Sequence, residues 1–129
     1  MSDVDEHQLD VAIDALRAGH VVPYLGPDAL SLEAEAQVPA TPEALATLLT
    51  ARVAVPHKIR KRLTQAAQFI ENFKHRKTLV GAMNAAFAAT PEPSELHWAI
   101  AACGASLIVD TWYDDSMHAA LRAELGDCV

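Results

Sequence analysis

The chain has 129 residues, 51% of them apolar and only 5% aromatic, and its formal net charge is −7. That length fits a single domain, 1–129, and no apolar run approaches the roughly 20 residues that cross a bilayer. The acidic opening Met1-Ser2-Asp3-Val4-Asp5-Glu6 lacks the basic and apolar regions of a signal peptide, and Cys103 and Cys128 are too few for a disulfide framework, so a soluble cytoplasmic protein with free thiols is expected.

With aromatics scarce, the core has to come from Ala, Leu, Val and Ile, and Ala-rich periodic stretches favour helices. Leu9, Ala12, Ile13 and Leu16 recur at helical spacing and predict a helix from about Asp5 to Ala18, ended by Gly19. His20 to Leu25 reads as a buried strand, in which Pro23 removes a ladder donor and belongs at an edge or an end. Gly26-Pro27-Asp28 makes a turn, and a short helix follows from about Ala29 to Ala36. Thr41-Pro42-Glu43 is a helix start, with Thr41 as cap, for a segment carrying Leu45, Leu48 and Leu49 that fades near Val53. Pro56 opens the next one: from His57 to Phe73, Ile59, Leu63, Ala66, Ile70 and Phe73 form one apolar stripe. A further helix, about Arg76 to Ala88, is expected to bury Leu79, Val80, Met83 and Phe87. Ser94 closes a Pro-rich loop and caps a helix from Glu95 to Cys103, which Gly104 ends. Ser106 to Trp112 is the second strand, with Leu107, Ile108 and Val109 as its buried run, and a last helix runs from Asp115 or Ser116 through Leu125 to Gly126.

The sum is an α/β chain of about six helices and two strands, near 20–25 and 106–112. Strands separated by so long a helical insertion are parallel if they pair. A two-stranded parallel sheet has two exposed edges, so completion by another subunit or another protein is expected, unless a third strand lies in Val53-Ala54-Val55 or near Cys128-Val129.

Charge is unevenly spread. Between Arg52 and Lys77 the chain carries +7, with Glu71 the only acid, and the remainder carries −14. Within this stretch Lys58, Arg60, Lys61 and Arg62 form a cluster that fits a solvated face, a contact with acidic protein surface, or an anion or nucleic-acid patch. No recognisable nucleic-acid reading motif frames it.

The two strand ends are the other candidate sites. A glycine after a buried strand, such as Gly26, lets backbone approach a ligand, and a following helix N-terminus can hold phosphate; an ordinary tight turn has the same residues. Asp28 puts a negative charge where a phosphate oxygen would sit. Asp114 can accept from a ribose hydroxyl, and Asp114 or Asp115 can equally cap the next helix. Trp112 and Tyr113 can stack on a base or pack in a core or interface. Asp114 and His118, four apart, form at most a partial metal pair.

Together these pieces resemble the sirtuin-like (silent information regulator) family, particularly its bacterial branch. That pattern has a strand ending in a Gly-Ala-Gly-x-Ser phosphate loop, a helix with a Pro-x-x-x-His start, and a strand ending in Thr-x-Asn-x-Asp or Thr-Asn-Tyr-Asp. Val21 to Leu25 with Gly26, then Pro93-Ser94-Glu95-Leu96-His97, then Leu107 to Asp114 follow it in order. The resemblance implies a Rossmann-like half-domain and a nucleotide site at Gly26, Ser31, Thr111 and Asp114 for NAD or ADP-ribose. The chain also departs from the pattern. Asp28 replaces the second loop glycine, Leu30 stands at the serine position with Ser31 one residue late, and Trp112 replaces the asparagine that in the family helps to hold and cleave NAD. The later half of the family domain, with its catalytic histidine, has no counterpart here.

The reading is therefore a non-catalytic interaction or regulatory module, a pseudoenzyme with no required cofactor. It would self-associate or dock on a protein through its sheet edges, Trp112 and the basic residues Lys58, Arg60, Lys61 and Arg62. The alternatives are nucleotide binding or NAD hydrolysis at the strand tips, and anion or nucleic-acid binding by the segment 52–77.

Overall fold

Helices form wherever the Ala- and Leu-rich periodicity runs, and the β-runs contribute only their ends. A computed structural model describes the backbone over residues 3–31 and 37–126 and the side chains over 6–30 and 37–126. In chain order the elements are α1 (Asp3–Arg17), β1 (Tyr24–Leu25), α2 (Asp28–Ser31), α3 (Pro42–Arg52), a 3-10 turn (His57–Ile59), α4 (Leu63–Lys74), α5 (Arg76–Ala86), α6 (Glu95–Ala102), β2 (Val109–Asp110) and α7 (Ser116–Leu125).

The described residues fall into two packed units. The first draws on Met1–Gly26, Pro93–Trp112 and Ser116–Val129; the second on Pro27–Glu92 with Tyr113–Asp115.

In the first unit β1 and β2 pair in parallel, with Tyr24 opposite Val109 and Leu25 opposite Asp110. The crossover argument holds, but each strand is two residues long rather than six or seven. Pro23 accounts for part of the shortening: it lacks a donor, although its carbonyl still accepts from Val109 N–H at 2.9 Å. Leu25 is buried with Ile100, Ala101, Met117 and Ala120, against which Leu96, Ile108 and Leu121 pack. α6 and α7 supply most of this cluster and pack on each other. Gly19 and Gly104 take φ of 74° and 70°, the left-handed conformation that ends a helix without a Cβ penalty, and they stand just past α1 and α6.

The second unit is a helical core in which α3, α4 and α5 pack on one another. Thr41 caps α3 as expected, its hydroxyl accepting from Ala44 N–H at 3.1 Å, with Pro42 in the first turn. Leu45, Leu49 and Ile70 are fully buried. The expected helix from His57 to Phe73 is instead a 3-10 turn, a break at Arg60–Arg62, and α4. Phe73 and Val80 are exposed rather than buried, and Ala82 is the buried residue of α5. The apolar stripe thus ends at Ile70, and α5 turns a small residue inward because α3 and α4 both press on it. His75 alone joins α4 to α5, at φ 74° and ψ 145°. Val53-Ala54-Val55 forms no strand, though Val53 and Val55 are buried. Cys128 and Val129 lie outside the described residues.

Candidate functional site

Of the four residues assigned to a nucleotide site, two belong to the first unit and two to the second. Gly26 and Thr111 follow β1 and β2; Ser31 ends α2 and Asp114 lies in the short segment Tyr113–Asp115. The side chain of Ser31 lies outside the described residues.

At the tip of the strand pair the polar groups serve one another. Thr111 N–H and Thr111 Oγ1 both donate to the Leu25 carbonyl, at 3.0 Å and 2.7 Å. The hydroxyl that the family resemblance gives to a nucleotide is therefore engaged with the protein's own backbone. Gly26 has no left-handed φ, and a Cβ added there would meet only Thr111 Oγ1 at 3.9 Å, an ordinary contact. The fold itself does not call for glycine at this position. Trp112 N–H donates to Asp110 Oδ1 at 3.1 Å, so a carboxylate closes the turn after β2. Reasoning from the sequence considered Asp114 and Asp115 as caps of the next helix and did not consider Asp110, although an aspartate two residues before a strand-ending turn is the available signal.

The sheet presents a second feature. Its Leu25 side is covered by α6 and α7, while Tyr24 is 73% exposed, Leu107 58% and Val22 51%. Tyr24 and its register partner Val109 share one face of the pair, and the exposed Val22 and Leu107 lie two residues before them in the chain; among the described residues no third strand joins the sheet. Leu107 was expected inside; the short pairing leaves it outside. Trp112 is half-buried.

Lys58 sits in the 3-10 turn, Arg60 and Lys61 in the break, and Arg62 at the start of α4, all exposed. The structure thus brings the four cations together on one short segment of the second unit. No side chain caps α4.

A buried Ser–His pair opens α6. Ser94 Oγ accepts from His97 N–H at 3.4 Å, Ser94 N–H donates to His97 Nδ1 at 3.0 Å, and Ser94 Oγ lies 2.7 Å from His97 Nδ1. This is a capping box with histidine where glutamate or glutamine is usual. An Nδ1 that accepts from a backbone N–H leaves the proton of the neutral ring on Nε2. With both residues buried, the pair satisfies backbone donors and presents no accessible nucleophile.

No group of three or more His, Cys, Asp or Glu residues that could hold a metal occurs among the described residues, and no described helix is long and apolar enough to cross a membrane. No family model, no curated protein and no solved structure matches the chain.

Proposed function

We propose that this chain is a cytoplasmic, non-catalytic sirtuin-like module, a Rossmann-like half-domain that works through protein–protein contacts. The observation that carries the reading is the exposed apolar surface in and beside the β1–β2 pair, at Val22, Tyr24 and Leu107. Parallel strands are ordinarily covered on both faces, because their crossover helices pack on each side. Here α6 and α7 cover the Leu25 side, and a sheet with two strands among the described residues accepts a further strand or a packed surface. The loss of the second loop glycine to Asp28, and the engagement of Thr111 Oγ1 with Leu25, count against NAD hydrolysis.

Two measurements test this. Cross-linking mass spectrometry should map a protein contact onto Val22, Tyr24 and Leu107, and Tyr24→Lys with Leu107→Lys should abolish it without lowering stability. NAD and ADP-ribose should leave the thermal midpoint unchanged, since only a ligand that prefers the folded state raises it. A clear stabilisation together with release of nicotinamide would refute the non-catalytic reading.

A second reading has its own support: four exposed cations precede a helix whose first turn lacks a side-chain cap, a setting that attracts phosphate. It requires salt-dependent retention of DNA or RNA that Arg60→Glu with Lys61→Glu removes.

A further inference from the structure

The second unit carries an apolar groove that neither reading uses. One cleft of about 460 Å³ is lined by Met83, Asn84, Phe87 and Tyr113. A second, of about 440 Å³, shares Met83 and Tyr113 and continues along Leu63, Ala67 and Leu79. Both clefts lie along α4 and α5, with Thr64, Gln68 and Glu71 adding polar lining to the second, and the stretch from Leu63 to Glu71 is about 12 Å long at the helical rise. Phe87 and Tyr113 rest on each other at one end, with ring centroids 5.6 Å apart. Cations stand next to both ends: Arg60, Lys61 and Arg62 precede Leu63, and Lys74, Arg76 and Lys77 surround the α4–α5 connection. Glu71, which also lines the groove, is held by Arg76 at 3.2 Å.

The chain contains a segment of complementary chemistry. α1 is amphipathic and acidic, and at helical spacing Leu9, Ile13 and Leu16 form one line while Glu6, Asp10 and Asp14 form the neighbouring line. These three acids are exposed, and Leu9 is itself 50% exposed. From Glu6 to Asp14 the helix advances about 12 Å, the length of the groove. In its own unit the same line, Leu9, Ile13 and Leu16, borders a cleft of about 640 Å³ with Leu96, Ala99, Ile100 and Cys103, so docking on a second copy draws α1 away from that cleft.

We propose that the occupant of the α4–α5 groove is α1 of a second copy of this chain. Leu9, Ile13 and Leu16 lie along Leu63, Ala67, Leu79 and Met83, and Glu6, Asp10 and Asp14 face the flanking lysines and arginines. Exchanged reciprocally about a two-fold axis, the contact occurs twice and closes a dimer. A stable interface buries ~1,200–2,000 Å² in total, which the two reciprocal helix-in-groove contacts have to supply. This association uses surfaces other than the β1–β2 face, so it stands or falls independently of the proposed function.

The test is a charge exchange in the full chain, read by sedimentation velocity over a concentration series, with circular dichroism as the folding control. Wild type should show a mass above 13.9 kDa that rises with concentration and falls as salt is raised from about 50 to about 500 mM. Asp10→Lys with Asp14→Lys should weaken association at least about tenfold, as should Arg60→Glu with Lys61→Glu. Mixing the two variants should restore it, because each acidic helix then meets a basic groove and each basic helix an acidic one. Leu9→Ser, at an exposed position, should weaken association with no change in charge. A concentration-independent monomer overturns the proposal. So does association that survives both charge reversals, or two folded variants that fail to rescue each other. Loss of association on Tyr24→Lys alone would assign the contact to the sheet face and equally overturn it.

Discussion

The two units reach burial by different means. The three-helix core of the second unit seals large aliphatic side chains completely: Leu45, Leu49 and Ile70 have no exposed surface. The first unit has a smaller cluster in which Leu25, Ile100 and Met117 keep 8%, 6% and 3% of their surface, beside the buried polar residues Ser94, His97 and Ser116. A helical core closes around itself because each helix offers a stripe to two neighbours. In the described part of the two-stranded sheet, helices pack on the Leu25 side and Tyr24 on the other side stays exposed. The second unit thus encloses its largest aliphatic side chains, while the first leaves apolar surface at its sheet.

Core truncation should break the comparison most sharply. Ile70→Ala or Leu45→Ala should cost about 3–5 kcal/mol, the upper part of the range for a fully enclosed aliphatic side chain, whereas Ile100→Ala should fall near ~2 kcal/mol because its surroundings can relax. Urea unfolding midpoints would decide this, and equal losses would show that the two cores are equally sealed. Amide exchange sharpens it further: α3 and α4 should exchange more slowly than α6 and α7.

Next in size is the polar cap inside the weaker unit. His97→Ala leaves Ser94 N–H buried without its acceptor and should cost about 2 kcal/mol. His97→Gln rebuilds an ordinary capping box and should recover most of that loss. A glutamine variant as unstable as the alanine one would mean that the ring's packing, not its acceptor, matters.

His75 reverses the sign. A non-glycine residue at φ 74° and ψ 145° is strained, and His75→Gly should stabilise the second unit by about 1 kcal/mol. The smallest effect belongs to Gly26→Ala, expected within about 0.5 kcal/mol of wild type because the added Cβ meets only an ordinary contact. A larger loss would show that the tip of β1 is tighter than its geometry indicates.

Helix existence and helix starts were legible in the sequence, because they depend on local chemistry. Thr41 and Ser94 cap helices through their own hydroxyls, Gly19 and Gly104 end them through φ, and the leucine spacing places α1 and α3. The parallel pairing was legible too, from the length of the crossover alone. The shortness of both strands and the exposure of Leu107, Val80 and Phe73 were not, since each depends on which neighbour reaches that side chain. The partner of Thr111 at the strand tip was likewise settled only in three dimensions, whereas Asp110 serves a backbone N–H two residues on, which is local. Hydrogen bonding between residues 86 apart leaves no periodic trace in the chain, so whether a threonine serves a ligand or its own backbone is decided by tertiary structure alone.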